Sequence, residues 1–151
     1  MPRSFARTLL ALVLLPACGG DSGSPNDGTL AGTWTYQADG LADVAYQGLC
    51  AIAPTSMTLT QTGDSLHGTT AAPSFLICTP TGGSPDTITT IPAGLSVRGD
   101  VLGGTVSFEI DGPYWTHTGV RTGDDMSGSA SLTTQVGAQL LAMTGTWAGS
   151  R

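Results

Sequence analysis

Lysine is absent from this 151-residue chain, and charge is sparse: 5 basic residues, all arginine, stand against 11 acidic ones. Arg3 and Arg7 fall at the very start. Beyond residue 17 only Arg98, Arg121 and Arg151 oppose the 11 acids, a net charge of −8. Without clustered Lys or Arg there is no footprint for nucleic-acid phosphates and no means of docking by charge on anionic headgroups. Long apolar runs are missing too. The longest, Leu9 to Leu15, falls well short of the ~20 residues that span a bilayer as a helix. No H-x-H, C-x-x-C or D-x-D-x-D-G pattern occurs, so the usual ligand spacings for zinc and calcium are absent. No metal or other cofactor is expected.

What is present begins with the leader. Arg3 and Arg7 form a short positive region, and the Leu9 to Leu15 run suits the apolar core of a signal peptide. It ends in Leu15-Pro16-Ala17-Cys18, which resembles the lipobox of bacterial lipoproteins: aliphatic at −3, small at −1, cysteine at +1. Pro16 departs from the usual small or β-branched residue at −2. The resemblance implies cleavage after residue 17 and lipidation, palmitate included, of Cys18. With each buried CH₂ contributing about 0.8 kcal/mol, several acyl chains make a permanent membrane anchor. Residues 18–28 then read Cys-Gly-Gly-Asp-Ser-Gly-Ser-Pro-Asn-Asp-Gly, with nothing apolar to bury after the cysteine: a flexible tether with an r.m.s. reach of roughly 17–19 Å. Gly19 in place of Asp implies, under the sorting rule of such lipoproteins, the outer rather than the inner membrane of a cell envelope.

Residues 29–151 leave about 120 residues for one domain. Helical periodicity is absent there, and period-2 alternation replaces it. Met57 and Leu59 alternate with Ser56, Thr58 and Thr60; Val106, Phe108 and Ile110 with Thr105, Ser107 and Glu109. Met126, Ala130 and Leu132 alternate with Ser127, Ser129, Ser131 and Thr133, and Leu141, Met143 and Trp147 with Thr144, Thr146 and Ala148. One apolar and one hydroxyl face per strand is the pattern of antiparallel sheet wetted on one side.

A short template, G-D-x-[LM]-x-G-[TS], recurs at Gly63–Thr69, Gly99–Thr105 and Gly123–Ser129. Its Gly-Asp suits a tight hairpin turn, its Leu or Met (Leu66, Leu102, Met126) begins an inward face, and its second glycine (Gly68, Gly104, Gly128) falls inward as well. Three hairpins of one design predict an up-and-down meander. The opening Gly32-Thr33-Trp34 and the closing Gly145-Thr146-Trp147 predict that first and last strands pair, which removes both exposed edges. With these features the domain resembles the calycin-type barrels, lipocalins, avidin-like barrels and lipocalin-like bacterial lipoproteins among them. The resemblance implies a single antiparallel, up-and-down β-barrel of about eight strands.

Cys50 and Cys78 remain, and in an oxidising compartment an even pair is expected to bond. The segment from Pro73 to Ile91, holding Pro73, Pro80, Gly82-Gly83 and Pro85, reads as a long loop with room for a short edge hairpin, and is the first place to seek a binding surface. Tyr114-Trp115 is an aromatic pair at a strand start, read as buried, with an exposed lip as the alternative. Gly63-Asp64-Ser65-Leu66 spells the signature of the GDSL esterases, but neither histidine, His67 or His117, has an Asp three residues before it. Nor is Ser kept in the other copies of the template, so no base–orienter set accompanies Ser65. No catalytic residue is assigned. The expected function is a lipid-anchored envelope protein whose barrel binds a small apolar or amphipathic ligand, or presents loops to an envelope partner. The ligand would line up along Trp34, Met57, Leu59, Phe108, Met126 and Trp147, with the inward glycines leaving it space. The alternative is a structural or interaction lipoprotein with a filled barrel, and the least favoured reading is a hydrolase using Ser65.

Overall fold

The computed structural model describes residues 28–43, 46–112, 114–136 and 138–151. The leader, Cys18 and most of the tether lie outside the described residues. Ten strands are formed: β1 Gly32–Ala42, β2 Gly48–Thr62, β3 Ser65–Thr70, β4 Ser74–Pro80, β5 Asp86–Ile91, β6 Ser96–Leu102, β7 Thr105–Ile110, β8 Trp115–Thr122, β9 Asp125–Val136 and β10 Gln139–Ser150. All pairings are antiparallel, in the order β1-β10-β9-β8-β7-β6-β3-β2-β4-β5, and β1 also pairs with β2. That last pairing closes eight strands into a barrel, with the β4–β5 hairpin as an addition. The alternation expected from sequence is the one observed. Met57, Leu59, Val106, Phe108, Ile110, Met126, Ala130, Leu132, Leu141, Met143 and Trp147 all belong to one buried core, while the intervening hydroxyl residues face out. Opening and closing strands pair as expected, Ala38 lying opposite Trp147.

The long segment 73–91 supplies β4 and β5. Its insertion works because β2 is 15 residues long and changes partner midway. The first half pairs with β4, from Gly48↔Pro80 to Ile52↔Leu76, and the second with β3, from Met57↔Thr70 to Thr62↔Ser65. Pro54, which has no N–H to give a ladder, sits in the gap between the two pairings. Two hydroxyls bridge the gap: Thr55 Oγ1 donates to the Ala72 carbonyl (2.8 Å) and Ser74 Oγ to that of Ala53 (2.5 Å). Cys50 and Cys78 face each other across β2 and β4, Cα atoms 4.0 Å apart, and are bonded. The bond pins the added hairpin to the barrel wall.

Two of the three template copies make the expected hairpins, with Gly63-Asp64 joining β2 to β3 and Gly123-Asp124 joining β8 to β9. The middle copy does not. Gly99 and Asp100 lie inside β6, and the turn forms four residues later at Gly103-Gly104, both with positive φ (57° and 86°), the sign pattern of a type I′ hairpin turn that glycine adopts without strain. Leu102 is therefore the last outward residue of β6 and 63% exposed, whereas Leu66 and Met126 are buried. Val106 takes the position expected for Leu102. Gly104 is a turn residue rather than an inward one.

The turns at Gly63-Asp64, Gly103-Gly104 and Gly123-Asp124 lie at one end of the barrel, and residues 28–31 cross that end. Leu30 plugs it, fully buried; its N–H donates to Gln61 Oε1 (2.8 Å) and its carbonyl accepts from Trp34 Nε1 (2.9 Å). Arg121 reaches the carbonyls of Gly28 and Gly123, and Arg151 those of Thr29 and Ala31. Arg151 also pairs with Asp124 (2.8 Å) and lies 5.0 Å over the Trp34 ring, a cation–π contact. This is the closed end. Burial, and next the neighbouring Arg151, pull the Arg121 pKa down, with Asp124 opposing.

Candidate functional site

The barrel interior is built of aromatic rings around one histidine. Successive inward positions of β1, β7, β8 and β10 carry Tyr36, Phe108, Trp115, His117 and Trp147, because each strand turns every second residue to the axis. Phe108 stacks on His117 (centroids 4.3 Å, 7° between planes), Trp147 meets both edge-on at 5.0 and 5.7 Å, and Trp115 lies 5.7 Å from the imidazole. The Tyr36 hydroxyl is 2.8 Å from His117 Nε2. Burial dominates both titrations. It lowers the His117 pKa to about 3, against a smaller upward pull from the Phe108 carbonyl, and raises that of Tyr36 far above its ordinary value. Both groups are uncharged at neutral pH. His117 Nδ1 and Trp115 Nε1 are buried without a hydrogen bond of good geometry, although the Phe108 carbonyl and the Tyr36 hydroxyl lie close enough to act on them.

The six residues expected to line a ligand chamber, Trp34, Met57, Leu59, Phe108, Met126 and Trp147, are instead packed together in this core, none more than 2% exposed. The inward glycines leave no chamber, because the backbone of the neighbouring strand comes within 2.2 Å of where a Cβ on Gly68 would lie and within 2.0 Å of one on Gly128, and side chains close in beside it. A Cβ on Gly68 would lie 2.8 Å from Leu59 Cδ2, and one on Gly119, which faces Gly128 across β8 and β9, would lie 2.9 Å from the Trp147 ring.

A recess opens instead at the mouth, the end opposite residues 28–31. It has a volume of about 350 Å³, at the lower end of the range for small-molecule sites. Leu76, Leu95, Ile110, Trp115 and Leu132 supply its apolar wall; Thr89, Thr90, Thr133 and Gln135 bring polar groups to the rim, with Asp111 and Tyr114. The aromatic pair is thus split: Trp115 is buried in the floor (5% exposed) and Tyr114 stands out on the rim (67%). Leu76 and Thr89 to Ile91 come from the 73–91 segment, where the sequence placed a binding surface. Tyr114 answers to the exposed-lip alternative for the aromatic pair, whereas Asp111 and the β9 contribution carried no motif. For β9, only the alternation that set Leu132 inward pointed that way.

Elsewhere the sequence candidates do not converge. Ser65 opens β3 on the outer wall, opposite Asp100, with His67 two residues further along the same exposed face; His117 is inside the barrel. Ser65, Thr105 and Asp125 occupy equivalent positions after the three turns. Asp43 Oδ2 accepts from the Ala142 N–H (2.5 Å) and Oδ1 from that of Tyr46 (3.0 Å), tying the β1–β2 connection to β10, while Asp39 accepts from Gln37. Among the described residues no group of three His, Cys, Asp or Glu side chains could hold a metal ion. Compared with family models, curated proteins and solved structures, the chain matches none.

Proposed function

We propose that this chain is an envelope lipoprotein, anchored through lipid on Cys18 to the outer membrane, whose barrel mouth receives a small amphipathic molecule. The observation that carries the reading is the recess walled by Leu76, Ile110, Trp115 and Leu132, at the end of the barrel opposite Gly28. The tether joins the domain at the closed end. With a rise of about 3.3 Å per residue, the strands hold the mouth some 20 Å or more from the point of attachment.

A second reading rests on the filled interior: Trp34, Phe108 and Trp147 leave the barrel axis packed, as in a structural or interaction lipoprotein that presents its mouth loops to a partner. A hydrolase using Ser65 is the least favoured, because Ser65 shares its place in the fold with Thr105 and Asp125. Native mass spectrometry of protein purified from the envelope separates the first two. The ligand reading expects a mass beyond chain and lipid that denaturation releases and that Thr134→Trp, on the recess lining, reduces. A mass accounted for by chain and lipid alone favours the filled barrel. In parallel, Cys18→Ala should release the chain from membranes; a variant that still sediments with them after a carbonate wash overturns the anchor.

A further inference from the structure

From the charge and ring placement at the recess we infer that its ligand is a cationic amphiphile, an apolar body of modest size carrying an ammonium-type head; this rests on the recess being a ligand site. Among the described residues the recess lining holds one charged side chain, the carboxylate of exposed Asp111. Its backbone is set by a positive φ (56°) and by its N–H donating to the Ser96 carbonyl (2.9 Å). The same lining holds the exposed ring of Tyr114 and the buried ring of Trp115. A carboxylate sharing one recess with two aromatic rings attracts an ammonium group, through charge and ring quadrupole together.

The cations of the domain stand elsewhere. Arg121 and Arg151 are committed to the closed end, and Arg98 lies on the outer wall between His67 and Glu109. An anionic head, as on a fatty acid, would meet Asp111 with no counter-charge in the lining. The apolar wall of Leu76, Leu95, Ile110 and Leu132 suits a chain or ring system that fits about 350 Å³. Threonine hydroxyls on the rim suit a head that remains partly hydrated.

Three probes of equal chain length test this: decyltrimethylammonium, decanol and decanoate. Each is titrated below its micellar concentration into the full chain carrying Cys18→Ala, so that neither acyl chains nor detergent compete, with tryptophan fluorescence reporting on Trp115. The ammonium is expected to bind about tenfold more tightly than decanol, and decanoate more weakly than both. Asp111→Asn should remove the ammonium's advantage and leave decanol unchanged, while Asp86→Asn, on the outer end of β5, leaves the order intact at 0.5 M salt. Decanol or decanoate binding as tightly as the ammonium, or an unaltered order in Asp111→Asn, overturns the ligand class and leaves the recess standing as a site. Failure of all three probes to bind overturns the class and the ligand reading of the recess together.

Discussion

Lowering the pH should destabilise this protein through His117 well before strong acid. The imidazole is 1% exposed and surrounded by the uncharged side chains of Tyr36, Phe108, Trp115 and Trp147. Its pKa falls from 6.5 to about 3 in the folded chain. Between those values the unfolded chain binds a proton that the folded chain does not, so stability rises with pH in this window. The contribution is complete above about pH 6.5 and is lost progressively as pH falls toward about 3. Each unit costs about 1.4 kcal/mol, so by pH 5 about 2 kcal/mol is gone and over the whole window roughly 4–5 kcal/mol. Against a domain stability of about 5–15 kcal/mol, that is a large share. With a urea m-value of about 1.5 kcal/mol/M, the midpoint at pH 5 should lie about 1.3 M below that at pH 7.5. His117→Gln supplies the comparison. It keeps a neutral hydrogen-bonding group beside the Tyr36 hydroxyl, cannot take up the proton, and should lose stability at pH 7.5 while shedding this part of the pH trend. Urea unfolding of both proteins at four pH values between 7.5 and 4.5 reads the difference directly. Parallel trends in the two would refute the assignment of the slope to His117, and a flat wild-type profile would refute the burial argument itself.

The hairpin re-registration can be tested by paired substitutions. Leu66→Asp buries a carboxylate without a partner and should cost several kcal/mol in a thermal melt, whereas Leu102→Asp, at an outward position, should change stability by no more than about 0.5 kcal/mol; the reverse order would restore the turn at Gly99-Asp100. Replacing both Cys50 and Cys78 by Ser removes the cross-link between β2 and β4, with a loss of about 3.5 kcal/mol expected from the loop it closes. Equal urea midpoints for wild type and the double variant would contradict that.

Much of the architecture is legible in the chain because strand side chains alternate with period 2. Wherever apolar and hydroxyl residues strictly alternate, as from Thr105 to Ile110 or from Met126 to Thr133, one residue type per face fixes which way the strand is turned. Turn glycines with φ near +60° at Gly63 and Gly123 mark where the strands reverse, and the Cys50–Cys78 bond was expected from the pair of cysteines left in the domain. The recess was less legible. Its lining comes from β4, β5, β7, β8 and β9 and the loops between them, and residues so far apart share no spacing that a linear reading could detect.

By itself the sequence determined the all-β class, the inward face of most strands, the hairpins at Gly63 and Gly123, and the pairing of first and last strands. Tertiary structure alone decided where β6 ends. Val101 and Leu102 are both apolar, so each can claim the inward face, and alternation permits a turn at either Gly99-Asp100 or Gly103-Gly104. A turn at Gly99 would leave β6 only three residues, Ser96 to Arg98. The later turn lets β6 make five register pairs with β3 and six with β7, and this continuity is what closes the barrel wall. The same closure decided the fate of the glycines. Gly68 and Gly128, read along the chain alone, suggest inward space for a chamber. In the sheet the backbone of the neighbouring strand approaches closely at each of them, with Leu59 beside Gly68 and Trp147 beside Gly119, and the open volume is left at the mouth, where the added hairpin and β9 line one recess.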